Sequence, residues 1–186
     1  MQAKNWKKEI FTIPNLLSLF RLVLIPVYVA IYLNAEDTAD YYLAAGILAV
    51  SCLTDAIDGK IARHFNMITS FGKLLDPVAD KATQFALIMC LTVKYNALWY
   101  LVGLFVLKEG FQLIAGGLRL RKHKMLKGAL ISGKICTTIL FVSLVAMVLF
   151  PNMGSFTVDI IALVDGVFLM VAFADYFITY LGKTSR

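Results

Sequence analysis

Six long apolar runs, at roughly 12–33, 40–58, 74–94, 97–118, 127–150 and 155–181, constrain this chain more than any other feature. A helix needs about 20 apolar residues to cross a bilayer, and lipid offers no partner to backbone N–H and C=O groups, so each run must satisfy its own. Of the 186 residues, 60% are hydrophobic and only 16% are charged, which is too apolar for an ordinary soluble domain. The expected fold is all-α, an integral membrane bundle of six transmembrane helices. Short connections without linkers, repeats or low-complexity tracts predict a single membrane domain over 1–186.

The N-terminal arm places Trp6 among Lys4, Lys7 and Lys8, the pattern of a short interfacial helix at lipid headgroups. The apolar run behind it is about twice the length of a signal-peptide core, so a retained first span is expected. Basic residues then set the orientation. They gather in the arm, in the connection carrying Lys60, Arg63 and Lys73, in the one carrying Arg119, Arg121, Lys122, Lys124 and Lys127, and at Lys183 and Arg186. The alternate connections hold Glu36 and Asp37, then Lys94, then the uncharged stretch 151–156. A multi-pass protein of the cell (inner or plasma) membrane with both termini cytoplasmic follows. The net charge of +6 faces anionic membrane lipids and phosphorylated solutes, and the lack of a soluble basic domain speaks against nucleic acid. Cys52, Cys90 and Cys136 stand apart in apolar segments and suggest neither disulfides nor a thiolate metal site.

Against this background, residues 55–80 hold four aspartates on the cytoplasmic side. Asp55 and Asp58 are spaced i, i+3 at the end of the second run, and Asp76 and Asp80 are spaced i, i+4 at the start of the third. Each spacing puts the pair on one helix face. An antiparallel turn between the runs would bring all four to one depth, where unpaired carboxylates would repel one another and lose hydration. Arg63, Lys73 and Lys81 offset part of that charge, and a cluster of hard oxygen ligands is what Mg²⁺ or Mn²⁺ prefers. A pair of such ions would make a clamp for in-line displacement at phosphorus. Gly59 and Gly72 cost helix stability and mark places of close backbone approach. Helix capping accounts for one acidic residue per helix start and leaves the set of four unexplained.

These residues spell Asp55-x-x-Asp58-Gly59-x-x-Ala62-Arg63, then, after eight residues, Gly72-x-x-x-Asp76-x-x-x-Asp80. The pattern resembles the full signature of the CDP-alcohol phosphotransferases, membrane enzymes that transfer a substituted phosphate from a CDP-linked donor to an alcohol and release CMP. The resemblance implies that Asp55, Asp58 and Asp76 ligate a pair of Mg²⁺ or Mn²⁺ ions. It implies that Asp80 joins that site and acts as general base, and that Gly59, Ala62, Arg63 and Gly72 cradle the CDP moiety. The segment TIPNLLSLFRL, with Pro14, Asn15 and Arg21, is similar to the start of the bacterial branch that makes phosphatidylglycerol phosphate. That likeness implies glycerol 3-phosphate as acceptor, and a donor that keeps its diphosphate in the cytoplasmic cavity and its acyl chains among the helices points to CDP-diacylglycerol. Asn15, near the cytoplasmic end of the first span, reads equally as a contact to that donor and as a helix-initiating residue, and the family implies a homodimer as a frequent assembly.

A small phosphorylated alcohol requires cations, and the candidates are Lys108, Arg119, Arg121 and Lys134. Lys108-Glu109 reads equally as an internal pair, and Lys134 as a side chain snorkelling to the interface. Lys108-Glu109 and Gly116 stand where that branch carries Arg-Glu and a second arginine, and lysine lacks the bidentate fork of arginine. A cardiolipin-type synthase or another acceptor therefore stays open, as does a multispan cation transporter, although no acidic relay continues to the far side. Asp159, Asp165 and Asp175 have no place in the motif.

Overall fold

The computed structural model describes residues 12–64, 69, 72–121 and 131–182. Within its helices, side chains at 56, 58, 59, 61–64, 73, 74, 117–121 and 180–182 lie outside the description. So does the N-terminal arm expected to form an interfacial helix. The described residues are all-helical: α1 (Ile13–Leu33), α2 (Thr38–His64), α3 (Gly72–Lys94), α4 (Trp99–Arg121), α5 (Ile131–Leu149) and α6 (Ser155–Gly182), with a 3₁₀ turn at Asn96–Leu98. Four segments, Ile13–Leu33, Asn96–Gly116, Ile131–Leu149 and Ser155–Thr179, are long and apolar enough to cross a membrane. That is the composition of a membrane protein. All three cysteines are free.

Two compact units divide the chain, Met1–Cys90 and Leu91–Arg186. In the first, Pro14 sits in the opening turn of α1, where its missing N–H is one that the helix would leave unpaired anyway. The helix ends at Asn34, whose amide donates to the Ala30 carbonyl at 2.7 Å. Six residues on, the Asp40 carboxylate accepts the backbone N–H groups of Glu36 (3.1 Å) and Asp37 (3.3 Å), one half of a capping box that starts α2 at once. The tight turn lays α2 back along α1, and Tyr32 closes the hairpin by meeting Tyr28 at 5.7 Å and Tyr41 edge-on at 5.2 Å. α2 runs past the expected end at residue 58 to His64. Asp55 and Asp58 therefore lie within a helix and not at its edge.

In the second unit, Tyr95 breaks the helical path before the 3₁₀ turn, and its hydroxyl donates toward the carbonyls of Pro151 and Met153 at 3.2 and 3.3 Å. Lys94 reaches the Pro151 carbonyl as well, so the connection between α5 and α6 is tied down at its carbonyls. Phe111 of α4 packs edge-on against Phe173 of α6 at 5.4 Å and beside Phe177 at 5.7 Å. α5 approaches α6 where Gly133 faces Tyr176: a Cβ at 133 would stand 2.6 Å from the tyrosine hydroxyl. Small residues let helices approach in this way when lipid supplies no hydrophobic drive between them.

Candidate active site

The site grows from one ridge of α1. Asn15, Ser18 and Arg21 follow one another at three-residue spacing and share a face of the helix. All three are buried. In an otherwise apolar span such groups persist only with partners, and here the partners lie 34 to 59 residues further along the chain.

The Asn15 amide pairs with the Thr69 hydroxyl, 3.0 Å from Nδ2 and 3.2 Å from Oδ1. Thr69 in turn accepts the backbone N–H of Gly72 at 2.9 Å, satisfying one of the donors that the start of α3 leaves open. Gly72 is where this junction needs glycine, since a Cβ would stand 2.5 Å from Asn15 Oδ1 and 3.1 Å from Thr69 Oγ1. One turn further along the ridge, the Ser18 hydroxyl lies 2.7 Å from Asp76 Oδ1 and 3.1 Å from the Pro14 carbonyl. Its single proton is better placed on the carboxylate, the shorter and charge-assisted bond.

Arg21 completes the ridge. One guanidinium nitrogen donates to Asp80 Oδ1 at 2.7 Å and the other forms an ion pair with Asp55 Oδ1. A single planar fork thus joins α1 to carboxylates on α2 and α3, bringing Asp55 and Asp80 within one guanidinium's reach of each other. The arginine side chain is 3% exposed, whereas those of Asp55 and Asp80 are 48% and 52% exposed. The carboxylates are gripped from the protein side and open on the other. Among the described residues, no three acidic, histidine or cysteine groups stand in a metal-holding arrangement.

Of the expected metal ligands, Asp55, Asp76 and Asp80 are described and gathered on this ridge, while the side chain of Asp58 lies outside the description. Gly59 and the side chains of Ala62, Arg63, Arg119 and Arg121 lie outside it too. Asn15 and Gly72 touch one another. Sequence reasoning looked to Arg63, Lys73 and Lys81 to offset the aspartates; Lys81 does act electrostatically on Asp80, the side chains of Arg63 and Lys73 lie outside the described residues, and Ser18 and Arg21 were left unassigned. The signal was present, because an arginine within an apolar span requires an anion, and Asn15, Ser18 and Arg21 are in helical register.

The second unit holds the other candidates. Lys108 is 2% exposed and donates to Glu109 Oε1 at 2.6 Å, the internal pair that its sequence allowed. Lys134 is exposed on α5, as a snorkelling side chain would be. Asp165 is buried and accepts from Ser143 at 3.0 Å, and Asp175 accepts from Ser132. These contacts give Asp165 and Asp175 a role in pinning α6 to α5, while Asp159 is exposed.

Comparison with known proteins bears on the same residues. The chain aligns at 42% identity over 89 residues with the CDP-diacylglycerol--glycerol-3-phosphate 3-phosphatidyltransferases of Escherichia coli (strain K12) and Shigella flexneri serotype 5b (strain 8401). The alignment covers 48% of this chain and 48% of each relative, so the chain spans about half the length of the curated relatives it matches. The pattern that defines the CDP-alcohol phosphatidyltransferases is matched over residues 11–176, from the threshold of the α1 ridge to the Tyr176 that faces Gly133. With that match running through all six helices and the aspartate motif intact, the chain belongs to the CDP-alcohol phosphatidyltransferase family.

Proposed function

We propose that this protein transfers a phosphatidyl group from CDP-diacylglycerol to glycerol 3-phosphate, giving phosphatidylglycerol phosphate and CMP. The observation that carries the proposal is the joining of Asp55 and Asp80, from different helices, on the fork of Arg21, with Asp76 held beside them by Ser18. Family membership and the activity named for the curated relatives favour this reading over a cation transporter. The topology that fits it is the six-span bundle with an interfacial N-terminal arm, both termini and the aspartates cytoplasmic, since the nucleotide is a cytoplasmic solute and the basic residues gather on that side. Glycerol 3-phosphate is the acceptor that the relatives' name supports, and a homodimer fits the family.

The residues suit a divalent cation in their chemistry. Asp55, Asp58, Asp76 and Asp80 form an all-oxygen set, and two of them already attract a cation in Arg21. Bound Mg²⁺ or Mn²⁺ would polarise the donor diphosphate and offset the charge that develops on departing CMP. Asp55, Asp58 and Asp76 are its ligands in this proposal, with Asp80 contributing. Asp80 takes the proton of the acceptor hydroxyl as that oxygen attacks the phosphatidyl phosphorus and the bond to the CMP oxygen breaks. Its half-open carboxylate is accessible to an incoming alcohol, while Arg21 fixes its orientation. Asn15, Gly59, Ala62, Arg63 and Gly72 receive the CDP moiety, and Arg119, Arg121 and Lys134 are the cations offered to the acceptor phosphate, Lys108 being closed on Glu109.

The test is CMP release by purified protein given Mg²⁺ or Mn²⁺, CDP-diacylglycerol and a panel of alcohols. Turnover with glycerol 3-phosphate is expected. Turnover only with phosphatidylglycerol or another alcohol would replace the acceptor and keep the donor chemistry, and no release with any alcohol from folded protein would sink the enzyme reading.

A further inference from the structure

The buried guanidinium of Arg21 lies outside the aspartate signature, yet it touches two of that signature's carboxylates. Three observations bear on its role. The arginine is 2% exposed within a helix long and apolar enough to span a membrane, where a cation persists only with an anionic partner. Its two terminal nitrogens divide between carboxylates on different helices, an arrangement that serves register as well as charge. Its neighbours on the ridge, Ser18 and Asn15, grip Asp76 and the Thr69–Gly72 junction from the same side, so the contacts of α1 with the motif come from one rigid row.

We propose that Arg21 is a positioning residue and the resident counter-cation of the site, holding Asp55 and Asp80 together from the protein side so that their open faces receive divalent ions. This rests on the metal-dependent reading given above. As a fixed positive charge beside the carboxylates, Arg21 weakens the binding of each ion while keeping the ligands in place. Affinity is thereby exchanged for geometry. A lysine would keep the charge and lose the fork, because one ammonium cannot present two coplanar donors to two carboxylates.

The decisive measurement is Mn²⁺ binding to the purified full chain in detergent, read by the electron paramagnetic resonance signal of free Mn²⁺, alongside CMP release at saturating metal. Arg21→Met is expected to bind Mn²⁺ at least about tenfold more tightly, because a unit cation has left the immediate surroundings of the ligands, while kcat falls at least about tenfold through misplaced carboxylates. Its loss of thermal stability should be large in EDTA and mostly recovered with Mn²⁺. Arg21→Lys should bind Mn²⁺ within about twofold of the unmodified chain and still lose kcat, since the charge stays and the fork goes.

Unchanged or weaker Mn²⁺ binding by Arg21→Met, or an equal stability loss with and without metal, overturns the counter-cation role. Full kcat in Arg21→Lys overturns the positioning role, and that variant decides the matter alone if Arg21→Met does not fold. Absence of Mn²⁺ binding by the unmodified chain is a different result: it rejects the metal reading itself, and this inference with it.

Discussion

The two units of the chain treat buried polarity in opposite ways. In Met1–Cys90, Ser18 and Arg21 of α1 reach 34 to 59 residues along the chain to carboxylates that stand open to solvent, and each contact gathers charge toward one place. In Leu91–Arg186, several of the described polar groups sit in local contacts: Lys108 on its neighbour Glu109, Ser143 on Asp165, Ser132 on Asp175. Asp165 is 1% exposed, against roughly half for Asp55 and Asp80. Concentrated, accessible negative charge attracts cations and the phosphates they carry. The two serine–aspartate pairs, Ser143–Asp165 and Ser132–Asp175, align α5 with α6 in a solvent that offers no alternative partner. Among the described residues, the first unit thus gathers charge at one open place, and the second places much of its buried polarity in local contacts.

The largest test of this contrast is Asp80→Asn. Replacing the proposed base by an amide of the same shape should lower CMP release by about 10²–10⁴-fold with little change in thermal unfolding. Undiminished turnover would deny the first unit its chemical role. Next, Lys108→Met leaves Glu109 buried without its ammonium and should cost about 3 kcal/mol of stability, measured by unfolding in detergent. A neutral result, combined with a raised KM for glycerol 3-phosphate, would instead place Lys108 in the acceptor pocket and blur the division between the units.

Smaller effects sharpen the comparison at individual glycines and hydroxyls. Gly72→Ala drives a Cβ against Asn15 and Thr69, both already bonded to one another, and should destabilise by about 2 kcal/mol. Gly103→Ala, in α4 with nothing within 4 Å of the new Cβ, should be stabilising by up to about 1 kcal/mol through helix propensity alone. Similar outcomes for the two would mean that the α1 ridge is looser than its distances state. Ser143→Ala should cost about 1 kcal/mol by removing a donor from buried Asp165, with CMP release unchanged.

The helices themselves were legible in the sequence as long apolar runs, and four described segments have the length and composition of a bilayer crossing. The expected runs begin and end within a few residues of the observed ones except where α2 continues through Asp55 and Asp58 to His64. That extension was hidden because charged residues mark the end of an apolar run and say nothing about where helical hydrogen bonding stops. The aspartates were legible for a related reason: four carboxylates at helical spacing beside apolar runs need an explanation wherever the chain folds.

Pairing was the part that spacing left open. Local order along the chain pointed to Arg63, Lys73 and Lys81 as the cations nearest the aspartates, since sequence displays neighbours along a helix and along a loop. Arg21 stands 34 residues before Asp55 and 59 before Asp80, and it reaches both because the Asn34–Asp37 turn lays α2 back along α1 while the Asn15–Thr69–Gly72 junction seats the start of α3 on the same ridge. The sequence by itself determined the apolar solvent, the helices and the cluster of aspartates, all of which depend on composition and short-range period. Only the tertiary structure decided which cation holds those ligands, because a fork that joins three helices exists only once their faces have met.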